Sequence, residues 1–307
     1  MRDYLNIFIN DDYPVFIDKY LKTKTLNRLK YVSQFCGCDY TSLYKPLFFY
    51  TRYDHSMVVA LMTWHFTHDK KETVIALLHD VGTPCFAHCI DYVLGDYLKQ
   101  ESSEKKIVDI IIKDNELVSY LKEDNIYLED LNDLSKYNIL ENKIPRLCTD
   151  RLDGVLHTCY IWLNTNTIED IKEVYNNLIL LYNEEDNIEI GFKDIDIAKK
   201  FSNMVYKYTN EFQSNKDKYV MKYISELIKL SIKRKLITLE DLYIMKESDI
   251  CNIFNNNFDS WKEFKLIKDL SNIDNSYVFF DTKKRYVLPL VRANNKVIRL
   301  SDKYIHN

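Results

Sequence analysis

Glycine and proline are scarce in this chain, with five residues of each among 307. Hydrophobic residues make up 46% of the sequence and charged residues 29%, so the chain can bury a large core. This composition excludes a disordered chain, a collagen-like repeat and a turn-rich all-β sandwich. Because few residues break helices, we predict a mainly α-helical fold.

An excess of basic residues is also lacking. The chain has 42 lysines and arginines against 46 aspartates and glutamates, a formal net charge of −4. This balance argues against a basic nucleic-acid-binding surface, but a local basic pocket for a small phosphorylated molecule stays compatible with it. No Walker-type glycine-rich loop is present, so phosphate binding would rely on side chains and a metal ion.

Long apolar runs and a disulfide framework are absent from the sequence as well. No run approaches the ~18 residues of a membrane span, and the N-terminal stretch MRDYLNIFINDDYPVF carries acidic residues where a signal peptide needs an apolar core. The seven cysteines have no framework spacing, and Cys36 and Cys38 lack a second pair to complete a metal site. We expect a cytoplasmic protein that contacts no membrane.

The hydrophobic pattern predicts helices along most of the chain. Helical spacing over the first 35 residues is followed by a loop, and then by two strongly apolar helices at 54–66 and 72–80. Further helices are predicted at 86–100, 103–122, 144–163, 168–183, 194–213, 215–235 and 238–256.

The C-terminal stretch has a different character. SYVFF, KRYVLPLVR and KVIRL are β-branched and aromatic runs separated by polar turns. We therefore predict a helical domain over 1–260 and a small appendage over 261–307, which forms a β-hairpin or three strands.

His79 and Asp80 lie at the end of an apolar helix, where burial costs several kcal/mol without a compensating partner. Each of the two residues also has a structural alternative to metal binding, because the helix dipole favours His79 and Asp80 can cap the turn. His55 and Asp150 lie in two other apolar helices. Two imidazoles and two carboxylates suit one divalent ion, whether Mn²⁺, Mg²⁺, Fe²⁺, Ni²⁺ or Zn²⁺.

At these residues the sequence resembles the HD-domain metal-dependent phosphohydrolases, whose pattern is a His, a His-Asp pair and a distant Asp. It is most similar to the deoxynucleoside triphosphate triphosphohydrolase branch, through LNRLKYVSQFCG (26–37), RYDHS (52–56), LLHDVGTPCFAH (77–88) and TDRLDG (149–154). These four blocks follow the family's order over about residues 26–160. The resemblance implies a helical HD-type fold with a metal ion held by His55, His79, Asp80 and Asp150.

The resemblance also implies roles for five residues around the metal. Arg52 and Arg151 would contact phosphate, which a guanidinium binds in bidentate fashion, and Gln34 would face the substrate. His88 and Asp91 would handle protons, with the carboxylate orienting the imidazole. Each has a structural alternative, such as a salt bridge for Arg52 or a helix-stitching hydrogen bond for His88 and Asp91.

The sequence departs from the branch at several places. Thr83 stands where another His is usual, and Ser103-Glu104 where His-Glu is frequent. Gly154 occupies a place where Tyr is common, and Thr158 one where Asp is common. These departures affect sugar and base recognition more than phosphohydrolase chemistry.

A second His-Asp pair, His68-Asp69, lies in the charged stretch THDKKE and is predicted to be at the surface. His65 shares a helical face with His68, but no carboxylate block accompanies them. We expect no metal at this pair or at Cys36 and Cys38.

The expected function is metal-dependent hydrolysis of a phosphate ester or anhydride, with a nucleotide or another small phosphorylated metabolite as substrate. The alternative is a catalytically weak HD protein that binds a nucleotide and acts as a regulator. A dinuclear HD oxygenase ranks last, because Thr83 and Ser103 stand where further histidine ligands would be needed. Assembly into a homo-oligomer is left open by the sequence.

Overall fold

The computed structural model describes residues 1–9, 12–96, 98, 106–271, 277, 281–294 and 296–301. Over these residues the chain is mainly helical, as predicted, and none of their helices is long and apolar enough to span a membrane. The helices are α1 (Arg2–Leu5), α2 (Ile17–Leu21), α3 (Lys24–Arg28), α4 (Arg52–Thr67), α5 (Lys70–Leu78), α6 (Cys89–Leu94), α7 (Ile107–Ile111), α8 (Asn115–Glu123), α9 (Thr149–His157), α10 (Ile168–Asn176), α11 (Ile195–Phe212), α12 (Asn215–Lys233), α13 (Asp241–Ile244), α14 (Glu247–Asn257) and α15 (Asp259–Leu266).

Helices α4 and α5 form a buried hairpin at the centre of the molecule. Thr51 begins α4 with a capping box, in which its hydroxyl accepts the Asp54 N–H and the Asp54 carboxylate accepts the Thr51 N–H. His68 ends α4 in the left-handed conformation, with φ 49°, and Asp69 then caps α5. The short connection places the start of α4 beside the end of α5.

Several predicted helices are shorter than expected or broken. The first predicted helix is divided into α2, α3 and a 3-10 turn at Leu29–Tyr31, because Thr23 leaves the helical conformation to cap α3. Among its described residues, the predicted helix at 86–100 is α-helical only over α6, and the described residues of the one at 103–122 contain α7 and α8. Residues 97 and 99–105 lie outside the described part of the chain.

The prediction of a helix at 168–183 is wrong beyond Asn176. Leu178–Tyr182 is strand β1, which pairs antiparallel with β2 (Ile188–Phe192). Its sequence, LILLY, is a short apolar run that periodicity alone does not separate from a buried helix. Pairing with β2 decides in favour of the strand.

Within the described part of the chain, the sheet has four strands in the order β1-β2-β3-β4, where β3 is Leu290–Ala293 and β4 is Lys296–Arg299. Strand β3 runs parallel to β2 and antiparallel to β4. The predicted C-terminal strands therefore exist in part, but they extend a hairpin from the middle of the chain. SYVFF lies outside the described residues except for Tyr277. The division of the chain at residue 260 stays a prediction, and the sheet joins strands from both sides of it.

Candidate metal centre and cleft

His55 is fixed in the first turn of α4 and is 2% exposed. Its Nδ1 donates to the Asp153 carboxylate at 2.6 Å, and its Nε2 lies 3.0 Å from Asp150 Oδ1. Asp150 comes from the first turn of α9, and α9 packs against α4. The two helices thus bring the His block and the final Asp block of the sequence into contact.

His79 and Asp80 follow the last turn of α5. His79 Nδ1 donates to the Ala76 carbonyl oxygen at 2.7 Å, which turns Nε2 toward the carboxylates. That Nε2 lies 3.8 Å from Asp80 Oδ2 and 3.6 Å from Asp150 Oδ1. Although it is buried, it has no hydrogen-bond partner among the described residues.

His55, His79 and Asp80 place possible ligand atoms within 4.8 Å of one another, and Asp150 Oδ1 lies beside the two imidazoles. His55 Nε2 is 3.8 Å from Asp80 Oδ2 and 3.0 Å from Asp150 Oδ1. Donor atoms that each lie about 2.0–2.2 Å from one ion are about 3–4 Å from one another, so these spacings match a shared ion. An unpaired buried imidazole nitrogen facing two carboxylates also fits a metal ligand. His55, His79 and Asp80 form a group that could hold a metal ion.

The electrostatics of the site favour a positive charge. Burial alone would lower the pKa of His55, but hydrogen bonds and charges of Asp150 and Asp153 raise it to about 10. Burial alone would raise the pKa of the Asp80 carboxyl, but Arg52 and the two histidines hold it well below its usual range. Asp80 is therefore ionised and available as an oxygen donor.

Asp153 is a site residue that the sequence analysis missed. It is fully buried on α9 and accepts hydrogen bonds from Tyr4, Tyr50 and both His55 and His157. By accepting from His55 Nδ1, it leaves Nε2 to face the proposed ion. The spacing of Asp153 and His157, four residues apart on an apolar helix, was the available sequence signal.

The two predicted phosphate-binding arginines lie in different environments. Arg52 is buried and donates to Asp80 Oδ2 at 2.8 Å. The Arg151 guanidinium donates to the Arg146 carbonyl, to Glu141 and to Asn142. Both line the same cleft, but Arg151 also braces the loop before α9.

His88 and Gln34 line the cleft, and Asp91 forms a hydrogen bond with His88. His88 Nδ1 donates to Asp91 Oδ2 at 3.0 Å, and Asp91 is fully buried. Burial lowers the pKa of His88, so its imidazole is neutral at physiological pH. Gln34 lines the cleft with His88, and its buried Oε1 has no hydrogen-bond partner among the described residues.

The backbone before His88 is unusual. Phe86 and Ala87 have φ values of 60° and 42°, in the left-handed region that non-glycine residues rarely adopt. Such conformations persist where surrounding contacts hold them, and the Phe86 N–H donates to the buried Glu247 carboxylate at 2.7 Å. This geometry presents His88 at the start of α6.

Two of the departures from the family pattern have clear structural roles. Thr83 donates to Asp80 Oδ1 at 2.9 Å and so helps to orient that carboxylate. A Cβ on Gly154 would meet the Tyr208 ring at 3.7 Å, so Tyr208 fills the space beside it. Thr158 is fully buried in the π-turn after α9, and Ser103 and Glu104 lie outside the described residues.

The proposed ligands open into a cleft of about 420 Å³. The residues that line it include Lys283, Lys284 and Arg285, a basic tripeptide at the junction of a predicted turn and a predicted strand. These residues lie more than a hundred positions from the motifs, so only the folded chain brings them to the site.

The second His-Asp pair has the surface position that was predicted. His68 is 60% exposed and its Nε2 lies 2.8 Å from Asp12. Asp69 is exposed and caps α5. Cys36 and Cys38 are buried free thiols, and burial raises the pKa of both.

No family model matches this chain. The chain is similar to an uncharacterized protein, YdhJ, of Bacillus subtilis, with 26% identity over 297 residues that cover 93% of this chain and 86% of that protein. Because that relative has no described activity, the similarity assigns no function, and the functional argument depends on the site itself.

Proposed function

We propose that this chain is a metal-dependent phosphohydrolase of the HD superfamily, acting on a phosphate ester or anhydride of a nucleotide or another small phosphorylated metabolite. The observation that carries the proposal is the grouping of His55, His79 and Asp80 beside a cleft, with Asp150 Oδ1 3.0 Å from His55 Nε2 and 3.6 Å from His79 Nε2. The order of these side chains in the sequence is the order of the HD pattern.

His55, His79, Asp80 and Asp150 would hold one divalent ion. Their mixed nitrogen and oxygen donors suit Mn²⁺, Mg²⁺, Fe²⁺, Ni²⁺ or Zn²⁺. When bound, the ion polarises a phosphoryl oxygen and lowers the pKa of a coordinated water. Asp153 and the Ala76 carbonyl hold the two imidazoles with Nε2 directed to this point.

Arg52 and His88 would perform the remaining chemistry. The Arg52 guanidinium, held at the site by Asp80, stabilises negative charge that develops on the phosphoryl group. The neutral imidazole of His88, oriented by Asp91, accepts a proton and passes it to the leaving group. Arg151 adds positive charge, but a direct phosphate contact would require it to exchange one of its hydrogen bonds to Glu141, Asn142 or Arg146.

The proposed substrate selectivity is broad. Tyr208 fills the space beside Gly154, and Thr158 is buried, so neither Gly154 nor Thr158 supplies the polar groups that the related branch uses around the nucleoside. A site without specific hydrogen bonds to a substrate hydroxyl discriminates by roughly 10²-fold or less, against 10⁴-fold or more for a site built to read it. We therefore expect the kcat/KM values for ribonucleotides and deoxynucleotides to differ by no more than roughly 10²-fold.

A screen for release of phosphate, pyrophosphate or tripolyphosphate tests the function. Nucleotides and phosphomonoesters are incubated with the protein and each divalent metal, and Asp80→Asn serves as the inactive variant. Asp69→Asn makes the same change in the exposed His-Asp pair and serves as the matched control. We expect metal-dependent turnover that is lost in Asp80→Asn and retained in Asp69→Asn.

The second candidate is a regulator that binds a nucleotide without turnover. It is favoured by the commitment of Arg151 to Glu141 and Asn142, which leaves Arg52 as the principal arginine at the proposed ion. Nucleotide binding in a calorimeter, with no metal-dependent release from any phosphorylated compound, would establish this candidate and contradict the hydrolase.

A further inference from the structure

Tyr4 on α1 reaches the buried side of the proposed metal centre, although it lies far from the ligands in sequence. Its hydroxyl donates to Asp153 Oδ1 at 2.6 Å. Tyr50, His55 and His157 lie instead on the other oxygen, Oδ2, at 3.1 Å, 2.6 Å and 3.3 Å. One oxygen of this carboxylate is therefore held by the N-terminal helix, and the other holds the proposed ligand His55.

Aromatic packing fixes the position of Tyr4. Helix α1 has four residues, which is too short to be stable without tertiary contacts. The Tyr4 ring meets Phe8 edge-on at 5.2 Å and Tyr50 edge-on at 5.7 Å, and it stacks on Tyr160 at 5.8 Å between ring centroids. Tyr4 and Phe8 are both buried. The place of the Tyr4 hydroxyl is thus set by the core.

The Tyr4 hydroxyl is a donor to Asp153 throughout the physiological pH range. Burial, reinforced by the charge of Asp153, raises the pKa of Tyr4 well above its ordinary value, so the hydroxyl keeps its proton. A hydroxyl that donates to a carboxylate forms a charge-assisted hydrogen bond, which is stronger than a bond between neutral groups. Rotation of the Asp153 carboxylate away from His55 would break this bond, because it would also move Oδ1 away from Tyr4.

We infer that Tyr4 is a positioning residue for the proposed metal centre, where it holds the Asp153 carboxylate in the orientation that directs His55 Nε2 toward the ion. Residue 4 precedes the first of the four sequence blocks, which begins at residue 26, so the resemblance assigns it no role. This role rests on the proposed function for the presence of the ion. The restraint of His55 by Tyr4 through Asp153 requires no metal.

Titration with Mn²⁺ in a calorimeter tests the inference on wild type, Tyr4→Phe, Asp153→Asn and the double variant. Tyr4→Phe keeps the ring and removes the hydroxyl. We expect it to weaken Mn²⁺ binding about fivefold, less than the 10- to 100-fold effect of a partner that contacts the ligand itself. In Asp153→Asn the link to His55 is already weakened, so Tyr4→Phe should change the affinity by less than about twofold there.

Tyr13→Phe is the matched control. The Tyr13 hydroxyl also donates to an aspartate, Asp18, at 2.7 Å, and neither residue lines the cleft. Mn²⁺ affinity should therefore equal that of wild type in Tyr13→Phe. Thermal melting confirms that each variant is folded. A lower melting temperature in Tyr4→Phe with unchanged Mn²⁺ affinity would overturn the inference, and so would equal losses of affinity in the wild-type and Asp153→Asn backgrounds.

NMR of metal-free protein in EDTA separates this inference from the proposed function. Histidine is labelled with ¹⁵N, and the His55 ring signals are assigned by their absence in His55→Gln. We expect Tyr4→Phe to shift the His55 Nδ1 resonance and Tyr13→Phe to leave it in place. Failure of wild type to bind Mn²⁺ would contradict the ion and the proposed function, and the NMR comparison would then decide the role of Tyr4. An unchanged His55 resonance in Tyr4→Phe would overturn that role.

Discussion

At the scale of single residues, the buried carboxylate of Asp153 orients the proposed ligand His55 although Asp153 is not itself one of the proposed ligands. Its oxygens accept from two tyrosines and two histidines, and among these donors only His55 also faces the proposed ion. Because a carboxylate behind an imidazole fixes its tautomer and raises its basicity, Asp153 is a positioning residue.

Asp153→Asn is expected to weaken divalent-metal affinity by about 10- to 100-fold, the range for such supporting partners. The amide keeps the size of the side chain but loses the charge that favours a donor on His55 Nδ1. Titration with Mn²⁺ in a calorimeter measures the effect, and Asp186→Asn in the exposed turn after β1 is the control. Unchanged affinity in Asp153→Asn would contradict the positioning role.

The buried carboxyl of Glu247 leads us to predict that the free energy of unfolding depends on pH, independently of the cleft. Burial, reinforced by the charge of Asp39, raises the pKa of this carboxyl to about 8. The unfolded chain releases the proton near pH 4.3, so between about pH 4.3 and 8 the folded chain binds more protons. Protonated Glu247 therefore makes its full contribution to the free energy of unfolding below about pH 4.3. That contribution is lost as the pH rises toward about 8, by up to about 1.4 kcal/mol per pH unit.

Urea unfolding at pH 5, 6.5 and 8 measures this dependence. Glu247→Gln resembles the protonated acid and should show a shallower decline in the free energy of unfolding than wild type, whereas the exposed Glu129→Gln should match wild type. Parallel declines in wild type and Glu247→Gln would show that Glu247 does not titrate as stated.

The sequence identified His55, His79, Asp80 and Asp150 because each charged or polar residue interrupts an apolar helix. It did not identify Asp153, which lies in the same block as Asp150. The spacing of Asp153 and His157 was a local signal, but the donors Tyr4, Tyr50 and His55 come from other parts of the chain. Local periodicity carries no information about those three donors, which appear only in the folded structure.

At the scale of secondary-structure elements, prediction succeeded where local signals agree with tertiary packing. Helix α4 has a capping box and an apolar run, and its observed bounds are close to the predicted 54–66. Strand β1 lacks a comparable local signal, because LILLY fits a helix until it pairs with β2. The position of Lys283, Lys284 and Arg285 at the cleft was missed for a related reason, since it depends on where β3 pairs with β2.

Arg299 on β4 ties the C-terminal hairpin to the middle of the chain. Its guanidinium donates to Glu184 at 2.7 Å and 2.8 Å and to Glu189 at 2.8 Å and 2.9 Å, and Glu189 is fully buried. Two parallel bonds to each carboxylate are the strong form of this interaction.

Arg299→Met is expected to lower the free energy of unfolding by about 3 kcal/mol, because it leaves the buried Glu189 carboxylate without its counter-charge. Methionine retains an apolar stem of similar length, so the change in packing is small. Urea unfolding measures the effect, with the exposed Arg292→Met on β3 as the control. A loss no larger than that of the control would show that the ion pair does not anchor the hairpin.

At the scale of the whole molecule, one continuous core includes residues from Tyr4 to Leu300. The low glycine and proline content was sufficient to predict a mainly helical chain, but not the four-stranded sheet that joins 178–192 to 290–299. The segment just before β3 contributes basic residues to the cleft that the N-terminal His-Asp cluster also lines. The proposed site is therefore a product of the complete fold.

The proposed function depends most on one divalent ion held by His55, His79, Asp80 and Asp150. Metal analysis of purified wild type, His79→Ala and His68→Ala after identical dialysis tests for this ion most directly. We expect one ion per chain in wild type and in His68→Ala, which removes an exposed imidazole. We expect less than about a tenth of that content in His79→Ala, which removes a ligand. The same metal content in His79→Ala as in wild type would contradict it.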